Sequence, residues 1–472
     1  ADVVDGLTNP LENYGLTIKN NGAEVTAGTP ATGSADVIVG YKRAVNGEGT
    51  VTDTAIKRNL NIKNAEITDS SGTEGLTTGT GTKSFKFSGT EKEYDNSILN
   101  GMDDTLEISG ADVNREVNGS IINAYGNAVI FKDAGKEFTL SGTIVNGGIK
   151  NKTVAIQGSD GADTLILQSG EVAYTGGETG SQNTIVNGDI DMGNGENSIT
   201  LKTDTIVNGN ITTGEGKDKL IIESGAVSNG NIVMGKGDDT LTIGSGAIIN
   251  GTLNGGIAPS TPSPSILDAG VENNTLNFGT EGSSSKEETR VFYNISNFEN
   301  MNINSNVTFY EKTTAADGTA KALEVTGAKE IKIGADGTLT LRIDATEKDS
   351  SGDSGKIVGH ALYGNTGTIT SEGGKLMLAL NGAGNENIIS FGDTTLGSGF
   401  NSKTLDTTSK LHTVERGDAD NEVKVIVRWN LPDYLKYTQL NEIYHGILSV
   451  EDLIGNFNVD DDTKLLTFLG YL

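Results

Sequence analysis

Cysteine is absent from all 472 residues, so the chain forms no disulfide and no thiolate metal site. That absence fits a reducing compartment or a chain exported in an unfolded state. Proline is scarce at six residues, which excludes a proline-rich stalk. Aromatic residues make up 5% of the chain, with a single Trp, so the platforms that stack sugars in carbohydrate enzymes are thinly supplied. There is no run of about eighteen apolar residues to form a membrane-spanning helix, and no basic-then-apolar leader. Ala1 is compatible with a mature end left by signal removal and equally with an arbitrary starting point. Basic residues are outnumbered 63 to 35, giving a net charge of −28. Such a field repels nucleic acid and anionic lipid; the expected partners are neutral, basic or bridged by cations.

Glycine is abundant, at 65 residues. Valine, isoleucine and leucine recur at strand spacing, which argues against disorder. The stretch "TIVNGDIDMGNGENSITLKTD" (184–204) is followed at once by "TIVNGNITTGEGKDKLIIESG". The pairs Asn187-Gly188, Asn208-Gly209, Asn229-Gly230 and Asn250-Gly251 fall 21 residues apart, and Gly193, Gly214, Gly235 and Gly256 keep the same step. A fixed period of this size marks a repeat architecture. Ile185, Ile206, Val227 and Ile248 share one register, and Ile190, Ile211, Ile232 and Leu253 another. A further strand supplies Ile199, Leu220 and Leu241, with Leu201, Ile222 and Ile243 two residues on. Spacing of two sends side chains to one face of a strand, and the longer step stacks each on its counterpart. The pattern predicts an all-β fold, a right-handed parallel β-helix of about 21 residues per coil with these registers in its core. Each Asn should bond the next in a ladder, and each following Gly should supply the positive φ of a corner. Antiparallel hairpins at each Asn-Gly are the alternative.

Looser copies precede the regular region: "ILNGMDDTLEISG" (98–110), "EVNGSIINAYGNAVIF" (116–131), "GTIVNGGIKNKTVAI" (142–156) and "GADTLILQSG" (161–170). Asn146 lies 41 residues before Asn187, close to two coils with one residue deleted. The expected organisation is a β-rich N-terminal cap or inserted domain over 1–97, a β-helix over 98–330, a C-terminal cap over 331–430 and a helical segment over 431–472. "APSTPSPS" (258–265) reads as a surface loop.

Three short motifs and the abundant carboxylates carry possible chemistry. "MGKGDDTLT" (234–242) resembles a calcium-binding nonapeptide, with Asp218, Asp238 and Asp239 as conceivable ligands. The equivalent positions run Glu196, Lys217, Asp238 and Asn197, Asp218, Asp239; the lysine opposes a cation site, and an alternating charge ladder is expected instead. No metal and no cofactor are expected. "SSGDSGKIVGH" (350–360) holds Gly-Asp-Ser-Gly, but no histidine precedes Ser354, so the general base of a serine protease is missing from its required order. Carboxylates clustered in a groove would suit a polysaccharide-active enzyme; a solvated acidic face is the simpler reading, and no catalytic residue is assigned. Arg416-Gly417-Asp418 is the tripeptide of integrin ligands, on an expected hairpin turn between "KLHTV" and "EVKVIVRW". Gly-Asp is also ordinary turn chemistry.

Taken together, the glycine-rich repeats, the lack of cysteine and the acidic, aromatic-poor composition resemble the passenger domain of a monomeric type V autotransporter. The block "GTLTLRIDATEKDSSGDSGKIVGHALYGNTGTIT", with "GGKLMLALNG", "NIISFGD" and "VKVIVRWN", is similar to the autochaperone cap of such passengers, in wording especially like the large fusobacterial autotransporter adhesins. "LPDYLKYTQLNEIYHGILSVEDL", with Leu440, Tyr444, Ile447 and Leu448 at helical intervals, resembles the connector that leads to a membrane barrel, although no barrel follows it here. The resemblance implies export through the outer membrane, display at the cell surface or secretion, and adhesion to a host or bacterial surface protein or glycan. Self-association is the nearest variant.

Overall fold

The structure is a computed structural model. It describes, with short breaks, residues 32–64, 84–256, 272–350 and 355–427, together with the two-residue strands Lys19–Asn20 and Ala23–Glu24. Among these residues every regular element is a strand and none is a helix. The expected helical segment over 431–472 and the loop at 258–265 lie outside the described residues, as does Ser354. The chain divides into two compact units, Ala1–Lys236 and Gly237–Leu472.

In the first unit the chain lays down three short strands and returns to the first. Ser198–Leu201, Thr205–Asn208 and Ile211–Thr212 are followed by Lys219–Ile222, Val227–Asn229 and Ile232–Val233. Each pairs in parallel with its counterpart: Ile199 with Leu220, Ile206 with Val227, Ile211 with Ile232. Parallel pairing rules out Asn-Gly hairpins. These long parallel sheets are consistent with a β-helix or solenoid.

The core inside is a stack of fully buried aliphatics, among them Ile190, Ile199, Leu201, Ile211, Leu220, Ile222 and Ile232. Burial of each such side chain contributes about 1.5–3 kcal/mol. One expected register is off by a residue. Val186 and Val207 are the buried positions, whereas Ile185, Ile206 and Val227 are half-buried and face outward, and Ile248 is exposed. Because a strand alternates faces, an isoleucine two residues from an outward Asn must itself point outward.

The 41-residue step is a single turn of the chain. Ile144, Val145 and Asn146 pair directly with Ile185, Val186 and Asn187. Part of the extra length is a hairpin of Gly170–Ala173 against Thr179–Gln182. At the N-terminal end a long antiparallel hairpin, Thr32–Val45 with Val51–Asn64, joins the same sheet through Asn61–Asn64, which pair in parallel with Ser97–Asn100.

The second unit repeats the scheme with longer turns. Thr240–Ile243, Thr275–Phe278, Asn300–Ile303, Glu330–Ile333 and Thr368–Ser371 pair in parallel in succession. Aromatics contribute to its interior, with the buried rings of Phe278 and Phe309 edge to face at 6.2 Å. Toward residue 427 the pairing turns antiparallel: Glu386–Ser390 and His412–Arg416 both flank Glu422–Val427.

Leu220 is wholly buried against Ile199, so Leu220→Asp places an unpaired charge in the stack. The expected loss is more than about 3 kcal/mol in denaturant unfolding. Unchanged stability would contradict the register.

Candidate functional site

The asparagines form a continuous amide ladder in the first unit. Asn123 Nδ2 donates to Asn100 Oδ1, Asn146 to Asn123, Asn187 to Asn146, Asn208 to Asn187 and Asn229 to Asn208, all at 2.8–2.9 Å. Asn250 is an exposed residue of the second unit. A parallel amide column there, Asn302 Nδ2 to Asn277 Oδ1 at 2.8 Å, escaped the sequence reading because its step is 25 residues.

The glycine after each Asn is needed mainly for a reason other than the expected one. Gly188 has φ of 134°, but Gly209 and Gly230 lie outside the left-handed region. A Cβ on Gly209 would sit 2.2 Å from Gly188 O, and one on Gly230 would sit 2.2 Å from Gly209 O. These positions exclude side chains because successive corners stack backbone on backbone. Gly251 falls just past Asn250 and is half-buried.

Of the positions read as conceivable calcium ligands, Asp218 and Asp239 are buried and belong to a second polar column, whereas Asp238 is exposed. Asn197 Oδ1 accepts the Asp163 N–H at 3.0 Å, and Asp218 Oδ1 accepts the Asn197 N–H at 2.7 Å. In the second unit Asn274 Oδ1 accepts the Asp239 N–H, and Glu299 Oε2 accepts the Asn274 N–H, at 2.8 and 2.7 Å. Asp238 Oδ1 accepts the Asn273 N–H at 2.9 Å. Each side chain thus ties one corner to the next. Among the described residues no group of three or more His, Cys, Asp or Glu side chains is placed to hold a metal. No ion pair joins Glu196 to Lys217; on this corner Lys236 Nζ instead meets Glu215 Oε1 at 2.5 Å, and an exposed pair of this kind stabilises little.

Arg416-Gly417-Asp418 does lie at a hairpin turn, between His412–Arg416 and Glu422–Val427. Its ends point to different tasks. The Arg416 guanidinium donates to Gly397 O at 2.9 Å and Leu396 O at 2.6 Å, which fastens the hairpin to the neighbouring loop. The Asp418 carboxylate is exposed and faces Lys424 Nζ at 3.3 Å. A Cβ on Gly417 would meet Glu422 Cβ at 2.5 Å. Within the tripeptide, the arginine is thus held by backbone carbonyls while the aspartate is exposed.

His360 is buried against the Phe391 ring, 4.7 Å between centroids. Its Nε2 lies 2.9 Å from Ser390 O and its Nδ1 accepts the Leu362 N–H at 3.3 Å, so the neutral Nε2–H tautomer satisfies both contacts. Burial lowers its pKa from 6.5 to about 4. Burial pushes Asp163, Asp218 and Glu299 the opposite way, above the ordinary carboxylate range.

Compared with protein-family models, with curated proteins and with solved structures, the chain finds no match.

The histidine and the buried carboxyls have opposite linkage. A folded-state pKa held below the unfolded value means that the unfolded chain binds the proton first, so the His360 contribution is present above about pH 6.5 and lost as pH falls toward 4. Raised carboxyl values act in reverse, favouring the fold as pH falls. His360→Phe isolates the histidine: the stability difference between wild type and variant should shift in favour of the variant by about 3 kcal/mol from pH 7 to pH 4. Urea unfolding of both proteins across that range measures it, and a constant difference would contradict a neutral buried imidazole.

Proposed function

We propose that this chain is an autotransporter passenger, displayed at the cell surface or secreted, that acts as an adhesin. In this reading it is a right-handed parallel β-helix with about 21 residues per coil through 184–256 and longer coils elsewhere. The right hand is the sense that parallel crossover connections favour. The antiparallel strands between Glu386 and Val427 support a terminal cap, since an open end of parallel strands invites unwanted pairing.

One observation carries the binding role. On the outer face of one sheet, Ile121, Ile144, Ile185, Ile206 and Val227 stand in register as a half-buried apolar column. The amide ladder runs beside it, two residues along each strand. An apolar stripe flanked by a row of amides repeats one small contact at every turn, at about 4.8 Å intervals. Extended, repetitive partners such as a glycan chain or a strand-rich surface protein fit such a surface through many weak, equivalent contacts. A compact substrate fits better in a concave pocket.

The test is binding of the purified chain to glycan and surface-protein arrays, followed by assay of every bound glycan for cleavage. The expected result is saturable binding without products, weakened at least tenfold by Ile206→Glu with the melting temperature essentially unchanged. Turnover of a polysaccharide would replace the adhesin with an enzyme, and binding indifferent to Ile206→Glu would place the contact elsewhere.

A further inference from the structure

The hairpin of Thr32–Val45 and Val51–Asn64 differs from the rest of the chain in charge and in exposure. It holds five Lys and Arg against three Asp and Glu, a net charge of +2 in a protein of −28. Its two faces are unlike. On one, Arg58, Leu60 and Ile62 are buried, and the Arg58 guanidinium is clamped to Asn96 Oδ1 at 2.7 Å and Gln182 Oε1 at 3.1 Å. The inserted hairpin braces the same strand, with Thr175 N–H donating to Lys57 O at 2.8 Å. The platform is therefore tied to the body at several points.

The other face is open. Ile38, Val39, Tyr41, Val45 and Val51 are 43–64% exposed. Val45 pairs across the hairpin with Val51, and Tyr41 with Ala55. One extra residue at Val39 shifts the register between Ile38 and Gly40, which resets the alternation of faces. Asp36 and Ile38 before the bulge thus share a face with Tyr41, Arg43 and Val45 after it. The exposed apolar residues of this face fall in two groups, Ile38 and Tyr41 on one side of the Arg43–Asp53 pair and Val45 and Val51 on the other. Such groups on a firmly held sheet face are unusual for a surface that stays in water.

We infer that this face is a self-association surface, on which a second copy of the chain docks face to face about a two-fold axis near Val39 and Gly40. The charges select that occupant. Asp36 and Arg43 flank Ile38 and Tyr41 on one strand, so a two-fold midway between them brings Asp36 of each copy opposite Arg43 of the other. Arg43 is already held in place by Asp53 through two contacts of 2.9 Å, and both partners remain partly exposed. With Asp53 and Lys57 included, this face carries two charges of each sign, whereas a chain of net −28 repels its own kind over most other approaches.

Size sets the strength. Two strands of about 45 Å by about 10 Å cover about 450 Å² per copy, or about 900 Å² in the pair, below the range of stable complexes. The expected dimer is weak and reversible. It stands apart from the adhesin reading, which concerns the outer face of a different part of the sheet.

The absence of cysteine makes the test direct. Val39→Cys should form a disulfide-linked dimer of the full chain under mild oxidation, while Glu48→Cys at the hairpin tip should not exceed background. In sedimentation equilibrium the unmodified chain should dimerise with rising concentration, and Tyr41→Asp should raise the dissociation constant at least tenfold at an unchanged melting temperature. A monomer throughout the accessible concentration range would overturn the proposal. So would a dimer indifferent to Tyr41→Asp, or equal cross-linking at both cysteine positions.

Discussion

The spacing of parallel strands, about 4.8 Å, is the constraint on which everything else depends. Once each turn of the chain lies on the one before, a residue's nearest neighbour is its own equivalent. Every position must then tolerate a copy of itself at that distance. Aliphatic residues do so in the interior, where Ile190 lies against Ile211 and Ile211 against Ile232. Asparagine does so outside, because its amide donates to one neighbour and accepts from the other. Glycine does so at corners where even a methyl group would strike the carbonyl below it, as at Gly209 and Gly230.

Charge tolerates this spacing least, and the corners show how the chain manages it. A column of carboxylates would repel itself, so Asn197 stands between Asp163 and Asp218. Its Nδ2 also donates to the carbonyl oxygens of Gly193, Asn194 and Gly195, closing its own turn in a way that an aspartate cannot. The backbone N–H groups accepted by these side chains would otherwise be buried without partners, which is why polar residues persist at positions that are almost fully enclosed.

Periodicity made much of this legible before any coordinates. The step of 21, the stacking of like on like, the buried Leu220 and Ile222 and the amide ladder all follow from counting along the sequence. What counting could not assign was the face. Ile185 and Val186 are equally apolar neighbours, and only the outward Asn187 two residues on from Ile185 shows which one points to solvent. The 41-residue step looked like two turns because sequence separation does not distinguish a second coil from an inserted hairpin. Asn197 and Asp218 were visible as equivalent positions, but short-range pattern carries no information on whether an oxygen faces a cavity or a neighbouring N–H, so their bonds to the Asp163 and Asn197 N–H groups were not. The carbonyl partners of Arg416 were likewise invisible, since Leu396 and Gly397 lie far from it in sequence. The exposed hairpin face left little trace, because its bulge at Val39 breaks the alternation by which an amphipathic strand is recognised.

The central claim is that residues far apart in sequence are stacked at strand spacing, one turn per step, including across the 41-residue interval. Spin labels on cysteines placed at Ile121 and Val227, both half-buried on the outer face, measure it directly by pulsed electron resonance. The path runs from Ile121 through Ile144, Ile185 and Ile206 to Val227, four steps of strand pairing. The account predicts one narrow distribution centred at about 20 Å, from four steps of about 4.8 Å. A broad distribution, or one centred beyond about 30 Å, would contradict it.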